Sequence, residues 1–272
     1  MKHLLFTLLF FLLSNTASAQ NTSMGFEAYD TLSQEKKELA TSLAEYFILE
    51  AVDSVMQEGM YMQALEMLDT LQNGWEKVFG KGPSPQVYIR KGKIYFILEE
   101  WQQLVDVTAE CINYNKDNMT DRVAALIYSM QGSGHRNLGN YNKAIRSYES
   151  AVGYYSKFGD NGSMGDMLCS IAYSYNKLGK TTAASSFYEK GFAKFLQYFN
   201  ITRKQLLQSN LNVDEEYKKP VLGVFAAHLY CKAVSDNING DKLAYVEHLL
   251  MSANCGNTTA KREYLRYKAG LY

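Results

Sequence analysis

The sequence predicts an all-α fold, a solenoid built from antiparallel helical hairpins. In the middle of the chain, Gly139, Ala144, Tyr148 and Ala151 stand at the spacings of a turn followed by one narrow helix face. The position of Ala144 also recurs at intervals of 40 residues, and the equivalent anchor positions are Ala64, Leu104, Ala144 and Ala184. Four units in one register predict a repeat architecture.

The helix before this stretch is expected to form the other half of the hairpin. It carries Tyr128 and His135 on one face, and Gly132 lies on it twelve residues before Ala144. Small residues on two helices let their axes approach closely. We therefore expect contact between Gly132 and Ala144, with Tyr128 and Tyr148 filling the space above and below it.

The other units repeat this arrangement. The corresponding residues are Leu168, Ala172 and Tyr175 before Gly179, Ala184, Tyr188 and Gly191; Tyr88, Gly92 and Tyr95 before Trp101, Leu104, Thr108 and Cys111; and Ile48, Val52 and Val55 before Gly59, Tyr61, Ala64, Leu68 and Leu71. The pattern resembles the tetratricopeptide repeat (TPR), whose usual period is about 34 residues. A step of 40 resembles a long-period, exported bacterial variant with a longer second helix. The resemblance implies a right-handed superhelical α-solenoid.

The N-terminus is predicted to be a secretory signal peptide, residues 1–19. Lys2 supplies the positive region, Leu4 to Leu13 the apolar region, and Ala17-Ser18-Ala19 the small-residue cleavage site. The apolar run is short for a membrane span, so cleavage after Ala19 is favoured over an uncleaved anchor. We expect a mature protein that is periplasmic or secreted, without stable membrane insertion.

The mature chain is expected to begin with a polar leader, residues 20–32, and to continue as one solenoid over residues 33–272. Ser33 is the expected cap of the first helix, Thr120 or Asp121 of a later one, and Thr258 or Thr259 of the last. The period fails between Phe199 and Pro220, which indicates an insertion of 21 residues. The expected units are 45–84, 85–124, 125–164, 165–199 and 219–256, with a capping helix over 258–271.

Charge and cysteine usage exclude some classes of protein. Without the signal peptide, 27 basic residues face 28 acidic ones, and a neutral surface argues against nucleic-acid binding. Cys111, Cys169, Cys231 and Cys255 are widely separated, which favours unpaired packing residues. A bridge between Cys231 and Cys255 is the alternative, because both fall in the last hairpin.

No pattern of catalytic or metal-binding residues appears. His135, His228 and His248 lie outside any metal-binding spacing, and the glycines near Gly132 lie inside a predicted helix and not in a phosphate loop. His135 stands where neighbouring units have tyrosine, which favours a core or groove-edge position. We therefore predict a protein that is not an enzyme and needs no metal or cofactor.

The TPR resemblance implies a concave groove lined by the first helix of each unit. Carried over position by position, the peptide-binding groove residues are Tyr46, Leu49, Asp53, Lys93, Phe96, Ser133, Arg136, Asn137, Tyr173, Asn176, Lys177 and Tyr230. We expect Phe96, Tyr173 and Tyr230 to project into one concavity. The lining departs from the Lys- and Arg-rich carboxylate clamp of chaperone-binding members of the family.

Two functional hypotheses follow from these residues. The first is a non-enzymatic exported scaffold that binds a protein or peptide in its groove, since aromatic and amide side chains in a concavity suit a peptide. The alternative is an extracytoplasmic sensory or regulatory module that acts with a separate signalling partner.

Overall fold

The computed structural model describes residues 33–79 and 82–271, so the predicted signal peptide and leader lie outside the described residues. Every regular element in the described ranges is helical, which confirms the all-α prediction. The helices are α1 Gln34–Gln57, α2 Tyr61–Phe79, α3 Pro85–Ile97, α4 Trp101–Asn115, α5 Asp121–Asn137, α6 Tyr141–Lys157, α7 Asn161–Lys177, α8 Thr181–Phe199, α9 Arg203–Gln208, α10 Lys219–Ile238, α11 Lys242–Asn254 and α12 Thr258–Lys268, with a 3₁₀ turn at Glu216–Lys218.

The helices pack in consecutive pairs, as the hairpin prediction requires. The second helices of the first four pairs begin at Tyr61, Trp101, Tyr141 and Thr181, each 40 residues after the one before. The chain divides into two compact units, one ending at Met119 and one beginning at Thr120.

The turn inside each of these hairpins uses a left-handed backbone conformation. Gly59, Gly139 and Gly179 have φ of 78°, 75° and 71°, which glycine adopts without steric cost. The second hairpin has no glycine at the equivalent position, and Glu99 adopts a φ of 58° there. A side chain in this region is strained, so the repeat geometry overrides local preference at Glu99.

The core of the first unit forms where α1, α2 and α3 meet. Leu49 is 7% exposed and belongs to this core, so its prediction as a groove residue is wrong. Leu49 lies on the same packed face of α1 as Ile48 and Val52. The sequence analysis expected it on the neighbouring, solvent-facing side of the helix. The buried cluster comprises Ile48, Leu49, Val52, Ala64, Leu65, Leu68, Leu71, Val87 and Ile94.

The second unit contains the hairpin of α5 and α6. A Cβ atom built on Gly132 would lie 2.6 Å from Cδ1 of Tyr148. Gly132 therefore makes room for the ring of Tyr148, which is fully buried and lies beside the glycine instead of above or below it. The expected close approach of the two helices is present, but the ring of Tyr148 supplies the contact.

The insertion after α8 contains a helix that the sequence analysis did not predict. Thr202 caps α9 with a capping box that includes Gln205, and Leu206 of α9 is buried. The amide of Asn254 at the end of α11 donates to the Leu206 carbonyl oxygen at 2.8 Å, and the backbone N–H of Leu211 donates to the Asn254 carbonyl at 2.8 Å. These two hydrogen bonds hold the insertion against the last hairpin, which α10 and α11 form.

Polar side chains cap the first turns of α5 and α12. Thr120 caps α5 by accepting from the Val123 N–H. The last helix is capped by Asn257, which accepts from the Ala260 N–H at 3.0 Å, so the prediction of Thr258 or Thr259 is wrong by one or two positions. The four cysteines are unpaired: Cys231 is exposed, and Cys111, Cys169 and Cys255 are buried.

Candidate functional site

The second unit contains a cleft of about 690 Å³. Its walls come from the C-terminal halves of the first helices α5 and α7, the start of α8, one face of α10, and the turn between α10 and α11. This volume lies within the range of about 300–1,000 Å³ that is typical of small-ligand pockets. Four of the predicted groove residues line it, namely Arg136, Asn137, Tyr173 and Asn176.

Tyr173 is the exposed aromatic residue of this cleft, with 39% of its surface accessible. The guanidinium carbon of Arg136 lies 5.9 Å from the centre of its ring, and Nζ of Lys177 lies 5.3 Å from the same centre. Lys177 itself is not part of the lining. The sequence analysis selected all three residues, and the structure groups them around one ring.

Ser133 and Tyr230 do not line the cleft. The hydroxyl of Ser133 accepts from the Tyr148 hydroxyl at 3.2 Å, one turn before Arg136. Tyr230 packs against the cluster of α10, α11 and α12, and its hydroxyl donates to Glu263 at 2.7 Å. The expectation that Tyr230 and Tyr173 share a concavity is therefore wrong, because the adjacent Cys231 faces the cleft.

The groove residues of the first unit form contacts within that unit. Arg90 donates two hydrogen bonds to the Asp53 carboxylate, at 2.9 and 2.6 Å, so the charge of Asp53 is already neutralised. Tyr46 is 56% exposed, and Phe96 is 45% exposed and lies edge-on to Trp101. Lys93 is exposed.

A buried polar network of Asp236, His248 and Lys232 lies at the wall of the cleft. His248 Nδ1 lies 2.8 Å from an Asp236 carboxylate oxygen, and Lys232 Nζ donates to the other oxygen. Burial acts to raise the pKa of Asp236, but the hydrogen bonds from His248 and Lys232 outweigh it and lower that pKa. The ionised carboxylate is thus held between two partners.

Tyr188 of α8 also lines the cleft and is 5% exposed. Within the described residues, its hydroxyl has no hydrogen-bond partner. Burial raises the pKa of Tyr188 well above its usual value, so the phenol stays neutral and keeps its proton. The sequence analysis assigned Tyr188 to hairpin packing alone, and nothing in the repeat pattern marks its hydroxyl as unpaired.

The described residues contain neither a metal-binding cluster nor a membrane-spanning helix. Among the side chains that the structure describes, no group of three or more His, Cys, Asp or Glu is arranged to hold a metal ion. None of the helices described there has the length and hydropathy required to cross a membrane.

Comparison with known families gives matches inside the second unit. The family model described as tetratricopeptide repeat matches residues 125–158 and 165–192. These two segments are tetratricopeptide repeats. The matched repeats span the α5–α6 and α7–α8 hairpins, which supply Arg136, Tyr173 and Tyr188 to the cleft.

Solved structures that contain tetratricopeptide-like repeats share the fold of this chain. One is the crystal structure of nearly identical TPR-like repeats of a protein from Podospora anserina described as a kinesin light chain. Its TM-score is 0.54 at 14% identity, and the match covers 79% of this chain and 95% of that one. Another is the apo form of the quorum sensor NprR from B. thuringiensis, with a TM-score of 0.54 at 14% identity, covering 94% of this chain and 65% of NprR. No curated protein matches the sequence.

Proposed function

We propose that this protein is a non-enzymatic exported scaffold that binds a protein or peptide in the cleft of its second unit. The observation that carries the proposal is the exposed ring of Tyr173 in a concave site, with the cationic side chains of Arg136 and Lys177 within 6 Å of its centre. TPR-like folds generally serve protein interaction, through the concave surfaces that stacked repeats create. Exposed aromatic residues in such surfaces tend to dominate binding energy.

The binding proposal is tested by replacing Tyr173 with alanine. We expect Tyr173→Ala to weaken capture of the partner at least about thirtyfold, since loss of an interface hot spot costs about 2 kcal/mol or more. Helicity and the unfolding midpoint should stay nearly unchanged. Tyr217→Ala is the matched control, because Tyr217 is 69% exposed and does not line the cleft. Equal affinity for both variants, or unfolding of Tyr173→Ala, would remove Tyr173 from the binding surface.

Export is the second part of the proposal, and the pattern of Lys2, the apolar run and Ala17-Ser18-Ala19 supports it. We expect the protein recovered from the periplasm or medium of an expressing bacterium to begin at Gln20. An intact Met1 in a membrane fraction would show an uncleaved anchor instead. The non-enzymatic part would fail if the purified mature protein had a reproducible hydrolase activity that a single polar substitution abolished.

A sensory or regulatory module is the second candidate, and the size of the cleft favours it. A site of about 690 Å³ suits a small ligand whose binding is passed to a separate signalling protein. The fold is shared with NprR, which is described as a quorum sensor. A kinase or transcription factor gene beside this one would favour regulation, whereas an outer-membrane or uptake system would favour a scaffold role.

A further inference from the structure

The helix α12 packs one of its faces against the hairpin of α10 and α11. Ala260 is fully buried there, and Tyr264 packs against the same cluster. The carboxylate of Glu263 lies on this inner side, where it accepts hydrogen bonds from the Tyr230 hydroxyl at 2.7 Å and the Tyr245 hydroxyl at 3.4 Å. The acidic residue of α12 therefore points away from the outer face of the helix.

The outer face of α12 is basic with an apolar centre. Leu265 lies two positions after Glu263, which places it about 160° further around the helix axis, and 55% of its surface is accessible. Exposed basic side chains lie on both sides of Leu265 around the axis: Lys261 and Lys268 on one side, and Arg262 and Arg266 on the other. The helix thus presents an exposed leucine between two rows of cations.

The end of α12 places a second leucine beside the first. Gly270 has a φ of 70°, and the backbone N–H of Leu271 donates to the Arg266 carbonyl at 3.1 Å. This is the Schellman arrangement, which turns the chain back onto the last helical turns. Leu271 is 67% exposed and lines the same shallow depression as Leu265. The basic face of α12 comprises Lys261, Arg262, Leu265, Arg266, Lys268 and Leu271.

Three cations of this face lack a counter-ion within the described part of the chain. Among the described side chains, no carboxylate lies within 4 Å of Lys261, Arg262 or Lys268. Elsewhere in the chain exposed cations form ion pairs, as Lys157 does with Asp121 at 2.6 Å. Because the chain without its predicted signal peptide carries 27 basic and 28 acidic residues, the excess of positive charge on α12 is local. It fits a partner that presents many anionic groups over an extended surface.

The two exposed leucines select among such partners. A nucleic acid or an acidic protein segment would neutralise the cations but would leave the leucines in water. A bilayer with anionic headgroups accommodates both, because a helix with apolar and basic side chains lies in the plane of the membrane interface. Its leucines enter the boundary between headgroups and acyl chains, and its long basic side chains extend to the phosphates.

We propose that the basic face of α12 binds peripherally to the surface of an anionic lipid bilayer, with α12 parallel to the bilayer plane. None of its residues lines the cleft, so this inference goes beyond the proposed function and does not depend on it. Near an anionic surface each Lys or Arg strengthens binding about fivefold, so the four cations supply most of the attraction. The binding is therefore reversible and sensitive to salt.

The test measures co-sedimentation of the protein without its predicted signal peptide, residues 20–272, with lipid vesicles. The signal peptide is left out because its apolar run would bind lipid by itself. One set of vesicles is phosphatidylcholine, and the other is an equimolar mixture of phosphatidylcholine and phosphatidylglycerol. We expect at least about tenfold stronger partitioning into the anionic vesicles, decreasing as salt is added. Equal partitioning into both sets, or none into either, would overturn the proposal.

Neutralising one cation on each side of Leu265 tests the charges. Lys261→Gln combined with Arg262→Gln should weaken partitioning into anionic vesicles about 25-fold, at about fivefold per cation. Lys143→Gln combined with Arg146→Gln is the matched control, because it removes the same charges from exposed positions on α6. An equal loss in both double variants would show a general effect of net charge and would overturn the assignment to α12.

Leu265→Ala tests the apolar contact. Because this side chain is exposed, the unfolding midpoint should change little, while partitioning into anionic vesicles should fall about fivefold. Soluble polyglutamate represents the other class of partner and should bind weakly. If polyglutamate binds as tightly as the anionic vesicles and Leu265→Ala affects neither, the basic face of α12 recognises an acidic protein and the lipid proposal fails.

Tyr173→Ala separates this inference from the proposed function. The variant should partition into anionic vesicles as the wild type does, although its capture of a peptide partner falls. Loss of vesicle binding in Tyr173→Ala would place the lipid contact in the cleft and would overturn the role of α12. If the wild type captures its partner but fails to bind vesicles, the inference is refuted and the proposed function stands.

Discussion

Replacing Gly132 by alanine measures how closely α5 and α6 approach. The added Cβ would lie 2.6 Å from Cδ1 and 2.7 Å from Cε1 of Tyr148, closer than carbon atoms can pack without a shift. The ring cannot swing into solvent, because Tyr148 is fully buried among the residues of α6 and α7. Overpacking of this kind typically costs about 1–3 kcal/mol.

Alanine also improves helix propensity by about 1 kcal/mol, so Gly132→Ala alone should change the free energy of unfolding by only about 0–2 kcal/mol. Gly153→Ala isolates the packing cost, because Gly153 is an exposed residue of α6 with no neighbouring atom within 4 Å of its added Cβ. Gly153→Ala should stabilise the protein by about 1 kcal/mol, leaving a difference of about 1–3 kcal/mol between the two variants. Urea unfolding followed by circular dichroism measures both. Equal stability of the two variants would refute the close approach.

Glu99→Gly should stabilise the protein by about 1 kcal/mol, because a side chain in the left-handed region is strained and glycine is not; a lower thermal midpoint would contradict that turn. Burial, with a smaller contribution from Lys143 and Arg146, lowers the pKa of His135 below its usual 6.5. Folding thus favours the neutral form of His135. The contribution of neutral His135 to the free energy of unfolding is complete above pH 6.5 and decreases as the pH falls towards the folded-state pKa. Urea midpoints between pH 7.5 and 5 should therefore fall less in His135→Gln than in the wild type, and an equal fall would exclude His135 as the source. In native, reduced protein, Cys231 should be the one thiol that reacts rapidly with a thiol reagent, and denaturation should expose four; a second rapid thiol would show that a buried cysteine is accessible.

The hairpins could be predicted from the sequence because their signals are local. A turn glycine, a small residue and an aromatic residue at helical spacing specify one helix face within about ten residues, as at Gly139, Ala144 and Tyr148. Glu99 was missed because its conformation follows from its repeat position and not from its residue type.

The cleft was only partly predictable because its residues come from helices far apart in sequence. Arg136 and Tyr173 lie in the regular repeats, where the period sets their orientation. Tyr230 follows an insertion, and its orientation depended on one weak anchor, Tyr245. Successive residues of a helix are about 100° apart around its axis. The alignment of this unit with the repeat was in error by one position, so Cys231 lines the cleft where Tyr230 was expected, and Tyr230 packs in the core.

The hydrogen bonds between the α9 segment and α11 affect how the C-terminal part of the protein unfolds. In repeat arrays, a terminal unit contacts only its neighbour and can fray independently of the rest. Here, opening α11 would also break the contacts of Asn254 with Leu206 and Leu211 and would uncover the buried Leu206. The α9 segment therefore couples the last hairpin to the segment that leaves α8, and amide hydrogens of α9 and α11 should exchange with solvent in one cooperative step.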